Sequence, residues 1–332
     1  MYSSYSSLQQ SQLAAQGYYD TQSTYLLVYA PGRNTALRAT LADQLHRKFR
    51  LADTLGSALT EGVDGVLLVS EDVECMSTAL MCFAKALQDG ADYAVCNAVF
   101  GFGGATALYQ SRAHLAQNRC ALVSRPLLER CRAAAKDPEN VTELLALAAQ
   151  FCAHPARIPQ ALLHYERDIC AEDAFSATGK RAFLMSHVLD MTGAPIVLVS
   201  AVPVLRSMGY EVVVLGPSDG GALQLFVDAG AAVITRPGIR ATPNLWGLAL
   251  CTDLVLVNTV VMARTVRALS GTAVPVLWWL HDAFAGYPHI AHQIPTKLAE
   301  NVRLYSVGHH AANAMHAVRP DFQIGQLIYG LP

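Results

Sequence analysis

The chain has 332 residues, long for a single core, so two domains are the first expectation. Hydrophobic residues make up 52% and charged residues 15%, which excludes a disordered chain, and a formal net charge of −2 gives no electrostatic case for nucleic-acid binding. No apolar run reaches the roughly 18 to 20 residues a membrane span needs. The N-terminus lacks the basic start and apolar centre of a signal peptide. The eight cysteines include no C-x-x-C pair and lie scattered in apolar segments, which fits buried free thiols in a reducing, cytoplasmic setting.

Residues 1–24, with their Ser, Gln and Tyr content, read as a flexible tail. Tyr25 to Ala30 is a short apolar strand ended by Pro31-Gly32. Residues 35–48 carry a helical pattern, and a second helical piece is expected near Leu51 to Thr60. The run GVLLVSEDVEC (65–75) is a buried strand leading into Glu71, Asp72 and Glu74. A helix at 78–88 and strands at 92–99 and 120–125 follow. Helices at 126–135 and 141–152 and a strand-like stretch at 156–165 complete the first half. An acidic tip after a central strand places a site at the strand ends of an α/β sheet. The plainer reading of those three acids is a solvated loop that caps the following helix. The Gly-rich GFGG at 101–104 is a loop, not a dinucleotide finger. It has Thr106 at the final glycine position and no acid at the usual distance of roughly 20 residues.

This first half resembles a family 2 glycosyltransferase of the GT-A type over roughly residues 25–168. The resemblance is carried by TLGSALTEGVDGVLLVSEDVE, ADYAVCNAVF, NRCALVSRPLLER and PENVTELLALAAQF with ARIPQALLHYERD. It implies a divalent metal, Mg²⁺ or Mn²⁺, held against a sugar-nucleotide diphosphate by an Asp-x-Asp motif. The matching triplet here is Ser70-Glu71-Asp72, so the first acid is lost and Glu71 and Asp72 are the metal candidates. The family's second strand has little room between Phe49 and Gly65. The expectation is a shortened GT-A-like domain.

Residues 169–180 are polar and contain Gly179, as a linker would. From Arg181 the pattern becomes clearer. An apolar strand (182–188), a loop with Gly193, a helix (195–208) containing Pro203, and a second apolar strand (211–215) form a βαβ unit. Its helix N-terminus suits a phosphate. A helix near 221–228, strands at 231–237 and 253–259, a helix at 261–269 and the strand VPVLWWLHD (274–282) come next. A helix from about Pro295, a strand at 302–308, a helix at 309–318 and a strand at 324–330 finish the chain. The fold class is therefore α/β: two α/β domains, the second (181–332) a Rossmann-like doubly wound parallel sheet with the strand at 182–188 in its centre.

The second half resembles the N-terminal domain of a family 4 glycosyltransferase of the GT-B type. The carriers are MSHVLDMTGAPIVLVSAVPVLRSMGYEVVVLGP, DLVLVNTVVMARTVRAL, VPVLWWLHDAF and LYSVGHHAANAM with IGQLIYGLP. The resemblance implies that Gly193-Ala194 approaches a diphosphate or acceptor. It also implies that the strand ending in His281-Asp282 opens onto the cleft, with those two residues as catalytic candidates. Asn258-Thr259 ends its strand above the same face and is a lining candidate. The closing YGLP resembles the hinge to a second Rossmann-like domain, expected to lie beyond this chain. The implied partners are a nucleotide-sugar donor and a glycan or other acceptor. Two other classes stay open: a non-catalytic scaffold, and another nucleotide-dependent Rossmann-fold enzyme.

Overall fold

The computed structural model describes residues 18–328 except 33, 57–58, 60–61, 102–105, 112–118, 177–178 and 240–245. Residues 102–104 of the expected glycine-rich loop (101–104), the closing YGLP and residues 1–17 of the expected tail lie outside the described residues. The chain divides into two compact units, Met1–Gly103 with His114–Ile169, and Gly104–Ala113 with Cys170–Pro332.

Unit 1 opens with a 3-10 helix, Tyr18–Ser23. The end of the expected tail is therefore docked. Thr21 is fully buried with its hydroxyl 3.3 Å from His46 Nδ1, and Gln22 bonds to Leu45 and Arg47. Strand β1 (Leu26–Tyr29), helix α1 (Thr35–Leu41) and strand β2 (Phe49–Ala52) form a parallel βαβ unit. Strand β2 corrects the helix expected from Leu51, and supplies the second strand for which the sequence seemed to leave little room. It is four residues long and half-buried throughout, so no apolar run announces it. Strand β3 (Gly65–Val69) pairs parallel on the other side of β1. Every residue of β1 and β3 is buried, the pattern of strands covered on both faces.

Next come β4 (Glu74–Cys75), α2 (Ala79–Gln88), β5 (Tyr93–Phe100), and β6 (Thr106–Tyr109), which belongs to unit 2. The first unit closes with β7 (Cys120–Ser124), α3 (Arg125–Ala134), α4 (Val141–Phe151) and β8 (Pro155–Tyr165). Helix α3 starts where the Ser124 hydroxyl accepts from Leu127 N–H and Pro126 sits in the first turn. Asn140 caps α4 in the same way through Glu143 N–H. Strand order in this unit is β2-β1-β3-β7-β5, with β7 antiparallel to both neighbours. Strand β8 runs parallel to β5 and antiparallel to β4. Leu27, Val66, Leu68, Tyr93 and Val123 pack against Leu127, Leu128, Leu144 and Ala148 to form the core.

Unit 2 contains α5 (Ala171–Ala174), β9 (Lys180–Met185), α6 (Gly193–Ser207), β10 (Tyr210–Gly216), α7 (Leu223–Asp228) and β11 (Ala232–Thr235). It continues through α8 (Trp246–Ala249), β12 (Leu254–Asn258), α9 (Ala263–Leu269), β13 (Val276–Leu280) and α10 (Tyr287–Ile290). Strand β14 (Val302–Ser306), α11 (His309–His316) and β15 (Ile324–Gln326) end it. The order is β15-β14-β13-β12-β9-β10-β11-β6, and only β6 runs antiparallel. Strand β9 is flanked by β10 and β12, as its continuous apolar run and the doubly wound rule require.

Two details stand apart: Pro inside a helix ordinarily kinks or breaks it, and the sequence predicts a helix from about Pro295. Helix α6 runs through the exposed Pro203 without interruption. No helix starts at Pro295. The carbonyls of Ala291, Ile294 and Pro295 accept instead from the Arg319 guanidinium, at 3.1, 2.7 and 2.9 Å.

Candidate functional site

In unit 2 the winding reverses at β9, with β10 on one side and β12 on the other, so the carboxyl ends of β9 and β12 flank the switch point where such sheets bind ligands. The loop from β9 to α6 is fixed from below. Ser186 N–H donates to Leu215 O at 2.9 Å, and Ala222 N–H donates to Leu189 O at 2.8 Å. A Cβ on Gly220 would stand 2.4 Å from Leu189 O, so this loop and the loop after β10 approach as closely as two backbones can. Gly193 then opens α6, and a Cβ there would meet nothing within 4 Å. Its smallness serves no internal packing.

Across the switch point Asn258 ends β12, fully buried, and its Nδ2 donates to Ala194 O at 3.0 Å. Thr259 follows at φ 70° and ψ 160°, a region that is essentially glycine's. It is the one non-glycine residue of positive φ among those described. Its peptide is held at both ends: its N–H donates to Trp279 O, and its carbonyl accepts from the indole of the buried Trp278, both at 2.8 Å. Asp282, beyond β13, accepts from Val260 N–H at 2.7 Å, and the His281 ring lies 4.7 Å from that of Trp279. The sequence-predicted residues Ala194, Asn258, Thr259, His281 and Asp282 thus meet at one edge, joined through the end of β12.

The edge is poor in charge and rich in unmatched polar atoms. Burial, with the nearby His187 adding to it, lowers the His281 pKa to about 4. Burial also raises the Asp282 carboxyl above its usual range, opposed by the Val260 N–H. Asn258 Oδ1, Thr259 Oγ1, His281 Nε2, Tyr287 Oη and Ser306 Oγ are buried and find no partner among the described residues. Buried polar atoms are rarely left so, and a cluster of them marks a place for water or a ligand. Tyr287 and Ser306 carry no sequence signal for such a place; only the register that sets Ser306 beside Leu280 reveals it.

In unit 1 the acidic loop after β3 also lies at a switch point, since β1 has β2 on one side and β3 on the other. Each acid has a protein partner. Asp72 caps α1, accepting from Thr35 Oγ1, Ala36 N–H and Leu37 N–H, each at 3.1 Å. Burial would raise its pKa, but these bonds outweigh it and lower it. The capped helix is thus the preceding one in sequence, α1, and not the following one. Glu71 pairs with the Arg167 guanidinium at 2.6 and 3.4 Å. Glu74 pairs with His164 Nδ1 at 2.6 Å. Ser70, in the first position of the triplet, donates to Arg119 O. A divalent cation needs several open oxygens converging on one point. Glu71 and Asp72 do not fit one here, and among the described residues no group of three or more His, Cys, Asp or Glu side chains is arranged to hold a metal.

Residues 178–316 match the family model of glycosyl-transferase family 4. The match covers less than half of the chain and lies within unit 2. No curated protein and no solved structure matches. The family 4 match supports a glycosyltransferase, with sugar donor and acceptor as its substrates. It spans β9 to α11, the segment that builds the edge described above, and does not touch the acidic loop of unit 1. Among the described residues no helix is long and apolar enough to cross a membrane.

Proposed function

We propose that the protein transfers a glycosyl group from a nucleotide-sugar donor to a hydroxyl-bearing acceptor such as a glycan, using the carboxyl edge of the unit 2 sheet. The observation that carries this reading is the coincidence of the family 4 match with the strands whose ends bring together Ala194, Asn258, Thr259, His281 and Asp282. The first turn of α6, opened by Gly193, offers backbone N–H donors and partial positive charge to a diphosphate. Asn258 holds that turn in place. His281, with a pKa near 4, is neutral at physiological pH and accepts a proton poorly. We therefore assign it the orientation of a ligand oxygen in the ground state. An arriving phosphate would draw its pKa back up. By resemblance to family 4, a second Rossmann-like domain would form the facing wall of such a cleft. The eight thiols, all free, suit a reducing, cytoplasmic setting.

For unit 1 the parallel β2-β1-β3 flank with an acidic loop after β3 supports a GT-A-like scaffold. The internal pairing of Glu71, Asp72 and Glu74 favours a non-catalytic role for it. The test is release of UDP or GDP from UDP-glucose and GDP-mannose, with and without saccharide acceptors. His281→Ala is expected to lower the rate at least about tenfold, a loss of roughly 1.4 kcal/mol in the transition state, with the unfolding midpoint unchanged. An unchanged rate in that variant contradicts the reading.

A further inference from the structure

We infer that residues 283–290 form a lid over the unit 2 edge, and that its opening admits an uncharged, hydroxyl-bearing group to Thr259 and Ser306. Under the proposed function that group belongs to the acceptor; only this identification rests on that reading.

The segment is held firmly at its two ends and weakly between them. Before it, the Asp282 carboxylate accepts from Val260 N–H at 2.7 Å. After it, the Arg319 guanidinium donates to the carbonyls of Ala291, Ile294 and Pro295. Between these anchors, residues 283–290 make no side-chain hydrogen bond to another described residue. Their backbone bonds to described residues reach no further than Gln293, whose N–H donates to Ile290 O. An exposed stretch with so few bonds opens at low cost. What holds it down is packing. Of these residues only Tyr287 is buried, and it is buried completely, while the apolar Phe284 is 54% exposed. Helix α10 packs against Val260–Met262, which follow Thr259, and Phe284–Gly286 pack against α11, which follows β14. The lid therefore bridges the ends of β12 and β14, on either side of β13.

The closed lid leaves its own anchor unmatched. Tyr287 Oη, Thr259 Oγ1 and Ser306 Oγ are all buried without a partner among the described residues. Burial, and after it the Asp282 carboxylate, raise the pKa of the Tyr287 phenol, so the phenol also feels that charge. Closing thus gains the apolar area of the ring and loses the hydration of three hydroxyls, terms of opposite sign and similar size. The closed and open arrangements lie close in free energy for that reason. The floor also sets what can enter. Hydroxyls with a carboxyl beside them both give and accept hydrogen bonds, and they bring no positive charge. They match the hydroxyls of an uncharged ligand and oppose a phosphate, which the first turn of α6 suits instead.

The test uses the full chain carrying Ser306→Cys, whose thiol reports from beneath the lid. Amide exchange of residues 284–290 and modification of that thiol, read by mass spectrometry of its peptide, follow the same opening. Tyr287→Phe deletes the unmatched hydroxyl and keeps the ring. It should slow both processes about tenfold, leaving exchange in β13 unchanged and the unfolding midpoint no lower. Methyl methanethiosulfonate, which is uncharged, should modify the thiol at least about tenfold faster than its anionic sulfonatoethyl counterpart, each rate being divided by that with free cysteine. Should Ser306→Cys fail to fold, exchange in the unaltered chain against Tyr287→Phe alone still decides. Exchange or modification that Tyr287→Phe leaves unchanged or speeds overturns the lid. Equal rates with the two reagents, or a faster anionic one, overturn the uncharged floor. Neither readout involves a nucleotide-sugar, so failure of the proposed function shows separately, in the donor assay.

Discussion

The two units present the same kind of sheet edge and treat its polar groups in opposite ways. In unit 1 the loop after β3 closes on itself: Asp72 caps α1, Glu71 holds Arg167, and Glu74 holds His164. In unit 2 the ends of β12 and β14 and the residues after β12 and β13 leave Asn258, Thr259, His281 and Ser306 with buried polar atoms that no described residue satisfies, beside a backbone held in a glycine-like conformation at Thr259. An edge whose polar atoms bond to one another is stable without a ligand. An edge that leaves them unmatched stores a demand that water or a substrate meets. Charge at a switch point is thus a weaker sign of a site than unmet hydrogen bonding, and the family 4 match falls on the unit that has the latter.

The largest expected effect that sharpens this contrast is the pH dependence of unit 2. His281 has a folded pKa of about 4 against 6.5 in the unfolded chain. Its contribution is therefore fully present above about pH 6.5 and lost as pH falls toward 4, because only the unfolded chain then takes up the proton. The loss approaches about 3 kcal/mol. The raised Asp282 carboxyl acts in the opposite sense, adding stability at low pH that is lost as pH rises through its folded value. Urea unfolding between pH 4 and 7 in an Asp282→Asn background should show the His281 limb together with a limb of the same sign from the buried His46 of unit 1, and His281→Gln should remove the part that belongs to unit 2. A limb unchanged by His281→Gln would mean that the ring is not desolvated.

Removing the unit 1 cap comes next in size. Asp72→Ala should destabilise unit 1 by about 1–2 kcal/mol, with faster amide exchange in the first turn of α1 and unchanged exchange in β12 and β13. If Asp72→Ala leaves stability untouched, the carboxylate does not cap α1 and is open to another role. The smallest effect concerns Thr259. Replacing it by Gly should relieve strain of roughly 1–3 kcal/mol, less the roughly 0.5–1 kcal/mol that glycine gives up in entropy. A net gain of about 1 kcal/mol in the unfolding free energy is expected, with loss of donor binding. Destabilisation by Thr259→Gly would show that the two bonds on its peptide make no strained conformation.

How much of this was legible in the sequence follows from how burial writes itself into residue order. Strands β9, β10, β12 and β13 are covered on both faces and read as apolar runs, so the central place of β9 could be foreseen. The half-buried β2 has no such run and reads as helix. Strand β6 lies in the first half of the chain yet pairs with β11 inside unit 2, a long-range pairing that no local pattern records. The same holds for the sites. Gly193, Asn258 and His281-Asp282 stand at strand and helix ends that punctuation marks, so their convergence was visible. The partners of the acidic loop were not: α1 begins 37 residues before Asp72, and His164 lies 90 residues beyond Glu74. The metal reading of this loop comes from the resemblance of Ser70-Glu71-Asp72 to an Asp-x-Asp triplet, which carries no information on those distant partners.

The account's central claim is that donor recognition belongs to the unit 2 edge. Its most direct test is titration of isotope-labelled full-length chain with UDP-glucose and GDP-mannose, following the Gly193 and Thr259 amides, the Asn258 side-chain amide and the His281 ring. One of the two donors should move these four signals together along a single saturation curve, while the Glu71–Arg167 and Glu74–His164 signals of unit 1 stay fixed. Movement confined to the unit 1 signals, or none at the unit 2 edge with either donor, would contradict it.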